Sequence, residues 1–130
     1  MTRHLRVNAA TDGARTLLRI GGEIDIDTAP QLRRALDTVL GFGARRVNVD
    51  MRAVTFCDST GIHALLYARA RAVERGIALT LVPCDKLRRL LDITGTAHLF
   101  TCLAFAPPPR ATAGGSPRGP GDDGIEGASP

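Results

Sequence analysis

Apolar and polar residues alternate along the first hundred positions with two different periods, and the two periods take turns. Residues 5–9 form a short strand candidate and residues 15–20 a second. Thr11, Asp12, Gly13 and Ala14 supply turn residues between them, so the pair reads as a hairpin. Leu32, Ala35, Leu36, Val39 and Leu40 then recur at helical spacing. Asp27 or Thr28 can cap that helix, Thr28-Ala29-Pro30-Gln31 matches a capping box with proline in the first turn, and Gly41 and Gly43 stop it. Val47 and Val49 alternate with Asn48 and Asp50, which predicts a third strand continued irregularly through Val54 and Phe56 to Asp58. A second helix follows, with a core stripe of Ile62, Leu65, Leu66, Ala70 and Val73, with Arg69, Arg71, Glu74 and Arg75 toward solvent, and with Gly76 at its end. Residues 77–82 form a fourth strand that Pro83 breaks. Asp85 caps a third helix carrying Leu87, Leu90 and Leu91, and Gly95 ends it before a last strand over 97–103. The order β-β-α-β-α-β-α-β implies an α/β fold with right-handed crossovers and a mixed, mostly parallel β-sheet.

The 130 residues fit one core of ordinary size, and 44% hydrophobic residues suffice to fill it. No run approaches the roughly 18 apolar residues of a membrane-spanning helix. Arg3 and Arg6 near the start are not followed by the apolar stretch of a secretory signal, so a cytoplasmic location without membrane attachment is expected. Cys57, Cys84 and Cys102 are odd in number and widely spaced, which suggests buried thiols and neither a disulfide framework nor a zinc site. After residue 105 the composition changes. Gly, Pro, Ser and Ala dominate and Ile125 is the only large apolar side chain, so residues 106–130 read as a disordered Pro/Gly-rich tail behind a folded domain over 3–105.

Charge alters this picture little. The net charge is +4, from 17 basic and 13 acidic residues, and Lys86 is the only lysine. The arginines fall in dispersed pairs such as Arg33-Arg34, Arg45-Arg46 and Arg88-Arg89, without the interleaved aromatics of a base-stacking platform. Solvated faces account for them, and no direct nucleic-acid partner is expected.

One junction concentrates chemistry. Cys57-Asp58-Ser59-Thr60-Gly61-Ile62 joins the third strand to the second helix and puts a carboxylate, two hydroxyls and a glycine in its first turn. The simple structural role is that Ser59 or Thr60 caps the helix while Gly61 permits a tight junction. A hydroxyl at a helix N-terminus is also a favourable seat for a phosphate, whose charge of about −1.5 to −2 would meet backbone donors without unfolding the chain. On a docking surface the same charge would oppose association through desolvation and like-charge repulsion.

These residues resemble the STAS-domain anti-sigma factor antagonist family. Asp50 with Asp58-Ser59-Thr60-Gly61 is similar to its strand and aspartate-serine turn, Gly22-Glu23-Ile24-Asp25 to its loop after the second strand, and residues 87–95 to its late helix end. Three motifs in order over residues 3–105 make the likeness specific. It implies a STAS-like fold and a partner-switching role. The unphosphorylated protein would bind an anti-sigma factor serine kinase and release the sigma factor. The kinase would phosphorylate Ser59, with Thr60 as a secondary site, and a PP2C-type phosphatase would reverse this. Carried over residue by residue, the partner-binding set is Glu23, Asp25, Asp58, Ser59, Thr60, Gly61 and His63. The nucleotide belongs to the kinase, so no cofactor is expected in this chain.

Two departures are visible. His63 stands where many members carry a second glycine, beside the loop and one turn into the helix; a tolerated, partly exposed histidine is the simpler reading, and the alternative is that it narrows partner choice or ties binding to pH. The Pro-rich tail takes the place of an additional C-terminal helix. The enzyme alternative makes Ser59 a nucleophile, but Cys57 occupies the position where a nucleophile elbow needs glycine, and Asp58 and His63 are too local to build a triad. No catalytic residue is therefore assigned. The remaining alternative keeps the fold and makes the chain an adaptor or signalling-complex scaffold, with Ser59 only a cap and no phosphoswitch.

Overall fold

The computed structural model describes residues 4–105; the tail expected over 106–130, with Arg3 at the other end, lies outside the described residues. Five strands and three helices follow in the expected order: β1 (Arg6–Thr11), β2 (Arg15–Ile24), α1 (Ala29–Leu40), β3 (Arg46–Cys57), α2 (Ser59–Arg75), β4 (Ala78–Pro83), α3 (Asp85–Ile93) and β5 (Thr101–Cys102). The strands lie side by side in chain order, with β1 antiparallel to β2 and every later neighbour parallel. The hairpin turn closes as its residues predict. Asp12 Oδ1 accepts from the amides of Ala14 and Arg15 at 3.1 and 2.9 Å, an Asx turn that reverses the chain.

Chain-order placement with right-handed crossovers puts all three helices on one face of the sheet. The core confirms it. Leu18, Ile20, Val47, Val49, Met51 and Leu81 of the strands form one cluster with Leu32, Leu36 and Val39 of α1, Ile62, Leu65 and Ala68 of α2, and Leu87 and Leu91 of α3. The side chains between them in sequence stand on the opposite face, where Leu17, Asn48, Thr80 and Thr101 are in register and Asn48 Nδ2 donates to Thr80 Oγ1.

Five local expectations need correction. Thr28 precedes α1, but its side chain does not cap the helix. Its backbone is already helical (φ −101°, ψ −17°), and its buried hydroxyl turns back to donate to Glu23 O at 2.7 Å and to accept from Asp25 N at 3.0 Å. Gln31 likewise does not close a capping box, since its Oε1 accepts from Leu5 N at 3.0 Å. The buried side of α2 is Gly61, Ile62, Ala64, Leu65, Ala68 and Ala72, whereas Val73 is exposed and Ala70 faces solvent. The buried positions recur at i, i+3, i+4, i+7 and i+11 from Gly61, a face rotated from the expected stripe that leaves Ala70 and Val73 outside. The last strand is short. Residues 97–99 form a 3₁₀ turn, and only Thr101–Cys102 pair with β4. The three cysteines are free and half-buried rather than fully enclosed.

On the open face Asp50, only 6% exposed, accepts from Arg52 twice, from Nε to Oδ1 at 3.0 Å and from Nη2 to Oδ2 at 2.8 Å. This paired hydrogen bond holds the Asp50 carboxyl below the usual carboxylate range, against the opposing effect of burial. A group whose folded pKa is depressed contributes stability above its unfolded value of about 3.9, and that stability is lost as pH falls through the folded value. Asp50→Asn is therefore expected to cost about 1–3 kcal/mol in urea unfolding at pH 7. Repeated at pH 3, the same comparison should show a narrower gap between variant and wild type.

Candidate functional site

The carboxyl ends of β2 and β3 lie next to each other, Glu23 in register with Phe56 and Ile24 with Cys57, and the Asp58 amide donates to Ile24 O at 3.2 Å. The loops that follow are therefore brought to a single sheet edge, beside the start of α2. In parallel α/β sheets this edge gathers loops and free helix N-termini.

Asp58, rather than either hydroxyl, is the cap of α2. It has extended backbone (φ −107°, ψ −170°), and its Oδ1 accepts from Thr60 N at 2.9 Å. The same oxygen accepts from the Thr60 hydroxyl. One carboxylate thus occupies both the amide and the side chain of Thr60. Ser59, the first residue of the helix, is exposed, and its hydroxyl makes no hydrogen bond among the described residues. The two adjacent hydroxyls differ sharply: one is committed to the fold and the other is presented to solvent.

Gly61 makes the junction possible. A Cβ there would lie 2.4 Å from Cys57 Sγ and 2.9 Å from Ile24 Cγ2, so the helix meets the ends of β2 and β3 at a distance only glycine tolerates. The Cys57 thiol beneath it is pushed up to about 12, first by burial and then by the neighbouring Asp58 and Cys84. It is packing, not chemistry.

The second loop is built by Asp25. Its carboxylate is 8% exposed, and Oδ1 accepts from the amides of Asp27 and Thr28 at 2.9 and 3.1 Å. Asp25, expected among the partner-binding residues, directs its carboxylate to these amides and so shapes the β2–α1 loop. Glu23 stays exposed at the end of β2, and His63 is exposed one turn into α2.

This arrangement has counterparts among known proteins. The family described as "Mlab, STAS domain" matches residues 7–102. The chain belongs to the STAS domain family. An anti-sigma-B factor antagonist of Staphylococcus aureus is 29% identical to it over 99 residues, covering 75% of this chain and 91% of that protein. Two solved structures share the fold. An anti-sigma factor antagonist from Mycobacterium paratuberculosis, 24% identical, superposes with a TM-score of 0.67 over 78% of this chain and 86% of that one. The anti-sigma factor antagonist SpoIIAA in its unphosphorylated form, 15% identical, gives 0.60 over 78% and 89%.

On this STAS domain the same edge carries residues that the sequence pattern did not single out. Ile26 is 75% exposed in the β2–α1 loop, and Phe56 is 46% exposed beside Glu23. Lys86 Nζ donates to Thr55 O at 3.1 Å, which fixes the one lysine of the chain near the end of β3. Their signal was present. Ile26 stands alone between two aspartates, and Phe56 ends a strand beside a polar turn, where a side chain has little core left to enter.

Capping by Asp58 separates the roles of the turn residues in a stability measurement. Asp58→Ala should cost about 0.5–2 kcal/mol, the usual loss of an N-cap. Ser59→Ala should stay within about 0.5 kcal/mol of wild type, as for a surface change that breaks no contact. Gly61→Ala should cost about 1–3 kcal/mol through forced displacement of Cys57 and Ile24. Denaturant midpoints of the three variants check the order. An Asp58→Ala midpoint equal to wild type would show that the cap is not holding the helix start.

Proposed function

We propose that this STAS domain is an anti-sigma factor antagonist whose association with an anti-sigma factor serine kinase is switched by phosphorylation of Ser59. The observation that carries the reading is the contrast at the start of α2, where Ser59 Oγ is exposed and uncommitted while Thr60 Oγ1 is held by Asp58. A kinase needs a hydroxyl it can reach, and Ser59 offers one on a rigid helix end. The name of the Staphylococcus aureus relative supports the same role. Thr60 would be modified only if its bond to Asp58 broke first, which makes it the poorer acceptor. The protein acts as a regulatory binding partner and not as an enzyme.

The switch follows from charge and surface. In the unmodified state Ile26 and Phe56 supply apolar area, and Glu23, His63 and Ser59 supply polar contacts around it. Asp58 and Gly61 hold the turn in shape rather than touch the partner. Transfer of the γ-phosphoryl group of ATP to Ser59 Oγ, with loss of the hydroxyl proton, adds about −1.5 to −2 charges at the positive end of α2. The helix accepts this charge, so the fold persists. A partner surface shaped for a neutral hydroxyl must desolvate it, and Glu23 adds repulsion to any acidic group brought near. Hydrolysis by a PP2C-type phosphatase restores the alcohol and releases inorganic phosphate.

Incubation with ATP and the cognate kinase, followed by mass spectrometry, should find a single phosphate on the Ser59 peptide and none on Ser59→Ala. In calorimetry Ser59→Ala should bind the kinase like the unmodified protein, and Ser59→Asp should bind more weakly, by less than the phosphoprotein because one carboxylate carries less charge. Phosphate located elsewhere, with Ser59 bare and affinity unaltered by Ser59→Asp, would remove Ser59 from the switch.

A further inference from the structure

The helices occupy one face of the sheet, and the other face carries a cleft of about 510 Å³ between β1, β2 and β3. Arg6, Arg19 and Arg52 border it with Asp50, and Val7 and Ala53 lie among its lining residues. The volume falls within the range of about 300–1,000 Å³ typical of small-molecule sites. From this cleft we infer a second binding site, for a small phosphate monoester bearing a compact apolar group.

Charge and shape argue for this occupant. Asp50 is engaged by Arg52 at 2.8 Å and lies 4.0 Å from Arg19 Nε, and Arg6 borders the same cleft, so its lining holds one carboxylate and three guanidinium groups. Two positive charges are left uncompensated, and a phosphate monoester carries a matching charge of about −1.5 to −2. Arg6 makes no hydrogen bond or ion pair among the described residues. Its guanidinium lies over Gly21, where a Cβ would come within 2.6 Å of Nη2, so the glycine leaves room for it against the strand. Arg52 spends Nε and Nη2 on Asp50 and keeps its remaining donors. Guanidinium forks suit tetrahedral oxyanions and guanidinium planes stack on flat rings, while Ala53, in register with Gly21, offers apolar surface on the same face for the organic part. None of these residues belongs to the turn around Ser59, so the two sites are separable.

The test titrates ¹⁵N-labelled full-length protein with phenyl phosphate and, separately, with inorganic phosphate. Phenyl phosphate should give saturable shifts confined to the amides near Arg6, Arg19, Gly21, Arg52 and Ala53, and should bind at least about tenfold more tightly than inorganic phosphate because the ring packs against Ala53 and the guanidinium planes. Arg6→Gln and Arg19→Gln, both on exposed side chains and safe for folding, should each weaken binding by about fivefold or more. Arg88→Gln, which removes an equal charge from α3, should leave it unchanged. Equal affinity for the two probes would overturn the monoester assignment in favour of a bare oxyanion site. Shifts scattered over all arginines, or affinity lost equally in Arg88→Gln, would overturn the site altogether. Neither result bears on phosphorylation of Ser59, which is read by mass spectrometry.

Discussion

The close approach of Gly61 to Cys57 and Ile24 is the constraint on which the site depends. A strand ending on a parallel sheet can hand its chain to a helix by a loose loop or by a fused junction, and this chain does the latter. Removing one methyl group lets α2 begin at the very edge of β3. The Asp58 carboxylate then satisfies Thr60 in the first turn, and the Asp58 amide ties the junction to β2. Neither terminus of the turn can drift. Ser59 is held outward by its neighbours although it contributes no side-chain bond of its own. The proposed modification of Ser59 would therefore cost no structural interaction.

A second consequence comes from strand order. Strands laid down in sequence with right-handed crossovers force every helix to the same side. The apolar core is built once, between that face and the three helices. The opposite face then has to be compatible with solvent, which explains its arginines, the Asn48–Thr80 pair and the carboxylate of Asp50 enclosed by Arg52. The asymmetry gives the domain two surfaces with different chemistry. An apolar and hydroxylated rim sits at the strand ends, and a cationic sheet face lies away from it.

Much of this was legible in the sequence because period and punctuation agreed. The alternation around Val47, the spacing of Leu32, Leu36 and Val39, and the glycine at 76 all marked elements that formed. What was not legible depended on competition between partners. Thr28 and Gln31 have the spacing of a capping box, yet the end of β2 and the amide of Leu5 are stronger claimants for their side chains. Ser59 and Thr60 look equally suited to cap α2, but Asp58 precedes both and takes the role. Asp25 reads as a surface acid until its amide acceptance is seen. The stripe on α2 was misassigned for a different reason. Periodicity alone cannot tell which of two overlapping faces an alanine-rich helix presents, and the face that begins at Gly61 is the one set against the core.

The switch proposed for Ser59 must satisfy two demands that pull apart. Binding has to be tight enough to sequester a partner, which calls for exposed apolar anchors such as Ile26 and Phe56. Release has to be nearly complete, and moving an equilibrium from 99:1 to 1:99 requires about 5.5 kcal/mol. One surface ion pair or repulsion supplies only about 0–1 kcal/mol, too little by itself. Desolvation contributes more. A phosphate enclosed against apolar side chains without a cation to meet it carries a cost of several kcal/mol, and the anchors flanking Ser59 are what would exclude the water it needs. The apolar residues that strengthen association thus also make one added charge sufficient to end it, provided the partner brings no arginine to that spot.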